Sequence, residues 1–390
     1  MLEYFRDKVK VQIMYKNIQP LCLVACLKSL MGASVFTANT SVREKNEYRF
    51  DYFGLLCFVL WYSLYFYCSF MSYVEGQTIL RLLYDTRLKQ YGDSVQDIVA
   101  FLYVLYLMWK IPFDLSKSIG EPKELTCVDK IFDRMCEPIN VSRTSKVGLI
   151  MILFQIALSG IKIWTLWMIL RNLEVPTPWN KMYDVVYVEM LMLTIASHYC
   201  FYLIMVKERY KIVNKILREV KDKKSPEYYI LVRERHARNE EKALQIQEKY
   251  VCEKIKSCAT IVSMLYACAE NSNKKYGVAL VFTMFFCLVS ITLNLFYLME
   301  ATASGFFYDM PRYCVFLVYV FWHIIVGVAV IYAIVYHCES TTAEAKATGF
   351  VIHQIINNNV STAITSEGAR SVVTFLVMLI QFVTDPPSPL

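Results

Sequence analysis

Apolar residues fall along this chain in long blocks rather than in stripes. Eight blocks of helix length can be picked out, at about 19–38, 50–74, 95–113, 147–171, 184–206, 276–300, 313–338 and 364–384. The longer ones are long and apolar enough to span a bilayer. The first block carries Lys28 near its middle, where a charge costs roughly 2.5–3.5 kcal/mol on insertion scales. It is therefore read as an amphipathic or partly buried helix, and the same lysine interrupts any signal-peptide core. Seven spans remain, an odd number, which puts the two termini on opposite sides. The pattern thus predicts an all-α membrane protein with seven transmembrane helices.

Composition strengthens this and charge orients it. Hydrophobic residues make up 56% of the 390, well above soluble norms. Lys and Arg number 32 in the segments that share a side with the N-terminus and 5 in the others, which predicts a cytoplasmic N-terminus and an extracellular C-terminus. The glycosylation patterns at Asn39, Asn140 and Asn359 then face the cytosol and are expected to stay unused. None of the 13 cysteines falls in an outside loop, so free thiols are expected rather than a disulfide framework. The spacing of Cys252 and Cys258 does not suit zinc, and no histidine pair completes a site. No metal or other cofactor is expected.

Five regions follow. Residues 1–49 form a cytoplasmic N-terminus with the short helix; 50–206 hold spans one to four, which make up the ligand-pocket bundle; 207–275 form a cytosolic helical region; 276–338 hold spans five and six; and 339–390 comprise a cytosolic approach, the last span and a short outer tail. The 207–275 region has 17 basic and 10 acidic residues, with apolar positions at helical spacing such as Ile212, Ile216 and Val220, and a break near Ser225-Pro226. It is either a solvated hairpin continuing spans four and five or an anchor for oligomerisation. Its excess of positive charge suits an anionic inner leaflet.

Candidate chemistry lies where polar groups enter apolar spans. Gln381 closes the run Thr374–Phe382, and an amide facing hydrocarbon would cost several kcal/mol. It must therefore face a protein neighbour or a water-filled path. Thr374, Met378, Gln381 and Asp385 recur at helical spacing and share one face, which either lines a pore or packs on a neighbouring helix. In the outer halves of the other spans, a small-molecule pocket could draw on Gln96, Asp97 and Tyr103 in the second and on Lys162, Trp164 and Trp167 in the third. Tyr187 and Glu189 in the fourth and Tyr319, Trp322 and His323 in the sixth complete the candidates. Lys162 and Glu189 could pair inside the bundle.

Glu208-Arg209-Tyr210 imitates the acidic-Arg-Tyr triplet of G-protein-coupled receptors, but it follows the fourth span rather than the third, and the expected termini are inverted. The closing Thr-Phe-x-x-x-x-x-Gln-Phe instead resembles the Thr-Tyr-x-x-x-x-x-Gln-Phe signature of insect gustatory receptors, which are related to the insect odorant receptors. Arg209-Tyr210 with Val213-Asn214 and Leu217 looks like that family's pattern leaving the fourth span. Leu265 through Asn273 to Tyr276-Gly277 looks like its lead into the fifth, and Leu30-Met31-Gly32 like the end of its short first helix. Two departures are Phe375 in place of the tyrosine and a shorter interval from Cys338 to Gln381.

The resemblance implies a tetrameric ligand-gated, non-selective cation channel in the plasma membrane of a sensory neuron. Four copies of the last helix would surround the pore, Met378 would lie at a hydrophobic gate with Gln381 one turn outward, and Asp385 would form an acidic ring at the mouth. The implied partners are a small-molecule tastant, permeating cations, the bilayer, other copies of the chain and other receptor subunits; no nucleic-acid partner is expected. Leu376 stands where sugar receptors of the family often carry an acidic residue, so the expected ligand is a bitter or other non-sugar compound. The alternatives are a sugar ligand in the same kind of channel and a metabotropic seven-helix receptor. No nucleophile–base constellation, phosphate loop or metal cluster points to an enzyme.

Overall fold

The computed structural model describes residues 30–32, 35–38, 48–50, 52–79, 85–110, 123–135, 137, 139, 141–172, 174, 176–222, 240–305 and 308–358. Among them a short antiparallel ribbon, β1 (Phe36–Ala38) with β2 (Tyr48–Phe50), precedes seven helices. The helices are α1 (Tyr52–Val74), α2 (Arg87–Lys110), α3 (Lys123–Arg134), α4 (Val141–Asn172), α5 (Trp179–Lys221), α6 (Glu240–Ala303) and α7 (Met310–Asn358). Five of them, α1, α4, α5, α6 and α7, are long and apolar enough to cross a membrane. The ribbon is a small departure from the all-α expectation. The expected last span lies outside the described residues.

The helices wear their chemistry inside out. On α4, Leu149, Ile150, Leu153, Phe154, Ile156 and Ile161 are exposed, whereas Gln155, Ser159 and Lys162 are buried. On α1 the exposed residues include Phe53, Leu56, Leu60, Leu64 and Phe70, while the buried face mixes Tyr62, Tyr65 and Ser72 with Phe58 and two cysteines. Water would drive the opposite arrangement. Aliphatic faces outward and polar groups inward are the arrangement that suits hydrocarbon surroundings.

Several boundaries differ from the sequence expectation. Helix α2 starts at Arg87 rather than near 95, which draws Lys89, expected in a loop, into a helix where it is fully buried. Its ammonium lies 4.3 Å from the centre of the Phe316 ring, a cation–ring contact that contributes to holding a lysine in that setting. Helices α5, α6 and α7 run on past the apolar blocks into segments expected to be cytosolic. Helix α3 was not anticipated at all. Its buried positions include Leu125, Val128 and Phe132, one face of a dodecamer of which half the residues are charged.

The chain divides into two compact units. The first comprises 1–121, 141–201 and 272–336; the second comprises 122–140, 202–271 and 337–390. In the first, Gly32 adopts φ +67°, and a Cβ there would sit 2.8 Å from Phe58 Cα, so only glycine lets this turn approach α1. The indole of Trp61 donates to the Leu30 carbonyl at 2.7 Å across the same approach.

The second unit is organised by one face of α5. Val213 and Leu217 are buried, and Asn214 Nδ2 donates to the Glu344 carbonyl at 3.0 Å while its Oδ1 accepts from Thr348 Oγ1 at 2.6 Å. These are residues of the motif leaving the fourth span, so that motif serves to join α5 to α7. Asn214→Ala is expected to strand buried polar groups and cost about 1–3 kcal/mol. Thermal unfolding of the purified protein measures this, and an unchanged transition would show that the bonds contribute nothing net.

Candidate ligand cleft

Within the first unit, four helices enclose a cleft. Helix α2 supplies Gln96, Asp97 and Ala100; α5 supplies Asp184, Val185, Val188, Glu189 and Met192; α6 supplies Phe286, Cys287 and Ser290; and α7 supplies His323, Val326 and Gly327. The cavity they leave has a volume of about 40 Å³. In this form the cleft is narrow. A ligand larger than a small polar head would have to part the walls.

Two ion-pair systems furnish the cleft. At its side, Lys181 Nζ bridges Asp97 Oδ1 at 2.5 Å and Asp184 Oδ2 at 3.0 Å. Deeper in the bundle, Lys162 is buried and pairs with Glu189, and its Nζ lies 3.2 Å from His323 Nε2. His323 Nδ1 lies 2.9 Å from the Tyr319 carbonyl, which accepts only if Nδ1 carries the proton. The imidazole is then neutral, and Nε2 accepts from the lysine. Below this, Gln155 Nε2 donates to Thr194 Oγ1 at 2.6 Å. Charges and amides inside a membrane bundle are stabilised only by such partners.

The sequence candidates separate by position. Gln96, Asp97, Glu189 and His323 line the cleft, and Lys162 reaches it through its pair with Glu189, a pairing expected from the sequence. The Tyr319 ring packs against His323 with centroids 4.3 Å apart, and the buried indole N–H of Trp322 lies beside Glu189 outside hydrogen-bond geometry. Tyr103 does not line the cleft: it is buried in α2, with its hydroxyl 3.0 Å from Thr283 Oγ1 and its ring stacked on Phe286. Tyr187 belongs to a separate cluster with Trp61, Tyr62, Tyr65 and Tyr183.

Trp164 and Trp167 also stand away from the cleft walls. Their rings pack on each other at 5.6 Å, Trp164 is 63% exposed, and Arg171 lies over Trp167. Depth along a span had suggested both residues, but depth does not specify the face. Thr374, Met378, Gln381 and Asp385 lie outside the described residues. Sequence reasoning missed Lys181 and Asp184. The signal was a lysine and an aspartate three apart at the start of an apolar helix, which the expected span boundary had split.

A bundle of long apolar helices that turns its charges inward around a narrow cleft defines a helical membrane protein with an internal polar site. The match of residues 23–368 to the model of the 7tm chemosensory receptor family then places this chain in that family. No curated protein matches it. Chemosensory receptors are not enzymes. Among the described residues, no group of acidic, histidine and cysteine side chains could hold a metal ion.

Proposed function

We propose that this chain is a taste receptor acting as a ligand-gated, non-selective cation channel. A tastant enters the first unit's cleft from outside the cell, and binding there opens a pore lined by the last span, with Met378 and Gln381 at the constriction and Asp385 at the mouth. The observation that carries the ligand site is the cleft itself, walled by four helices, into which α2 and α5 bring the carboxylates of Asp97, Asp184 and Glu189 inside an apolar bundle. The pore assignment, the tetramer and the plasma-membrane location rest on the resemblance of the closing motif, and the outward-facing C-terminus on the charge bias. The bitter or other non-sugar ligand rests on Leu376, which stands where sugar receptors of the family often carry an acidic residue.

The ligand site is tested by expressing the chain alone and applying sugars and bitter compounds with and without Ser290→Phe, which fills the cleft. The variant is expected to reach the surface and to abolish the evoked current. Retention of the full response in Ser290→Phe would place the ligand elsewhere. An epitope tag on the C-terminus is expected to bind antibody on intact cells, and labelling only after permeabilisation would reverse the orientation.

A further inference from the structure

The cleft is acidic in a specific way. Three carboxylates line it, those of Asp97, Asp184 and Glu189, and two ammonium groups, Lys181 and Lys162, are paired with them. With His323 neutral by its hydrogen bonds, the walls and their partners carry one negative charge in excess. The excess has an address. Lys181 occupies Asp184 Oδ2, while Oδ1 of the same carboxylate is buried and meets no hydrogen-bond donor. Asp184 as a whole is only 6% exposed and forms part of the cleft wall. The Tyr65 phenol interacts with it electrostatically but does not reach hydrogen-bond geometry on Oδ1.

A buried carboxylate oxygen without a donor, on a residue of the cleft wall, is costly until something donates to it. Taking the cleft as the ligand site, we propose that its ligand is an organic ammonium ion, whose N–H groups donate to Asp184 Oδ1 and whose charge balances the cleft. The narrow space matches an ammonium head with a short alkyl stem, and Phe286 on the wall offers a ring to a cation. A second resident cation in place of the ligand is disfavoured, because Lys181 already bridges Asp97 and Asp184. Sugars and other neutral compounds would leave the excess charge uncompensated.

The test uses n-butylammonium and its neutral counterpart 1-pentanol as probes on the full chain in cells, with surface level measured in parallel. Butylammonium is expected to evoke current and pentanol to be ineffective. Asp184→Asn is expected to weaken the butylammonium response at least about thirtyfold, the low end for truncating one partner of a buried charged hydrogen bond. Asp184→Glu is expected to retain part of it. Asp97, with its side chain 51% exposed, gives a second variant less prone to misfolding, and Asp97→Asn is expected to weaken the same response to a smaller degree.

Three results overturn the proposal. If pentanol and butylammonium act equally and both fail in Ser290→Phe, the cleft stands as the site but the charge requirement is wrong. If butylammonium acts and neither aspartate variant changes its potency, a proton rather than a ligand satisfies Oδ1. Responses that persist in Ser290→Phe remove the cleft itself and the proposal with it.

Discussion

Replacing Lys162 with methionine is expected to destabilise the protein by about 3–5 kcal/mol, the cost of leaving one member of a buried ion pair without its partner. Lys162 is 5% exposed and Glu189 8%, so water cannot take over the missing charge. His323 offers no substitute, because its Nε2 is an acceptor when Nδ1 donates to Tyr319. The double variant Lys162→Met with Glu189→Met is expected to recover most of the loss, since a well-packed apolar pair of similar volume is often as stable as a buried ion pair. Unfolding temperature and surface level report both effects. A single variant as stable as the parent, or a double variant as damaged as the single, would show that the pair does not govern this part of the bundle.

Arg209→Ala is expected to have the next largest effect and to act in the second unit. Arg209 Nε and Nη2 donate to the two oxygens of Asp129, each at 2.7 Å, and Nη1 donates to the Met205 carbonyl at 2.8 Å. One guanidinium therefore ties α3 to α5 through a planar fork. Asp129 is 36% exposed on its side chain, which holds the expected loss to about 2–3 kcal/mol, below that of a fully buried pair. Arg209→Lys is not expected to rescue it, because an ammonium cannot form two parallel bonds and reach the carbonyl as well. Faster hydrogen exchange across α3 is the direct readout. Unchanged protection in Arg209→Ala would mean that Leu125, Val128 and Phe132 hold α3 without the arginine.

The same arginine shows what the sequence could and could not convey. Glu208-Arg209-Tyr210 invites comparison with a signalling triplet, and position along the chain was enough to reject it. That Arg209 grips Asp129, 80 residues earlier, has no local signature. Long apolar blocks made the helices legible, because hydrocarbon surroundings demand continuous apolar length. Azimuth was not legible: a helix apolar on all sides carries no stripe to say which face is inward, so Trp164 and Trp167 were grouped with His323 on depth alone. Helix α3 escaped because Leu125, Val128, Ile131 and Phe132, spaced among charges, do not make a continuous block. Lys162 was legible, since a lysine inside an apolar run must find a partner, and Glu189 was among the few carboxylates at a matching depth.

Whether binding in the cleft opens a pore in the same molecule is tested by current in membrane patches excised from cells expressing only this chain, bathed without nucleotides and exposed to sugars, bitter compounds and butylammonium, with Gln381→Ala recorded beside the parent. An evoked cation current is expected to survive excision, and Gln381→Ala is expected to alter its conductance or gating. A response that vanishes on excision and returns only with G-protein signalling would contradict a pore in the same molecule.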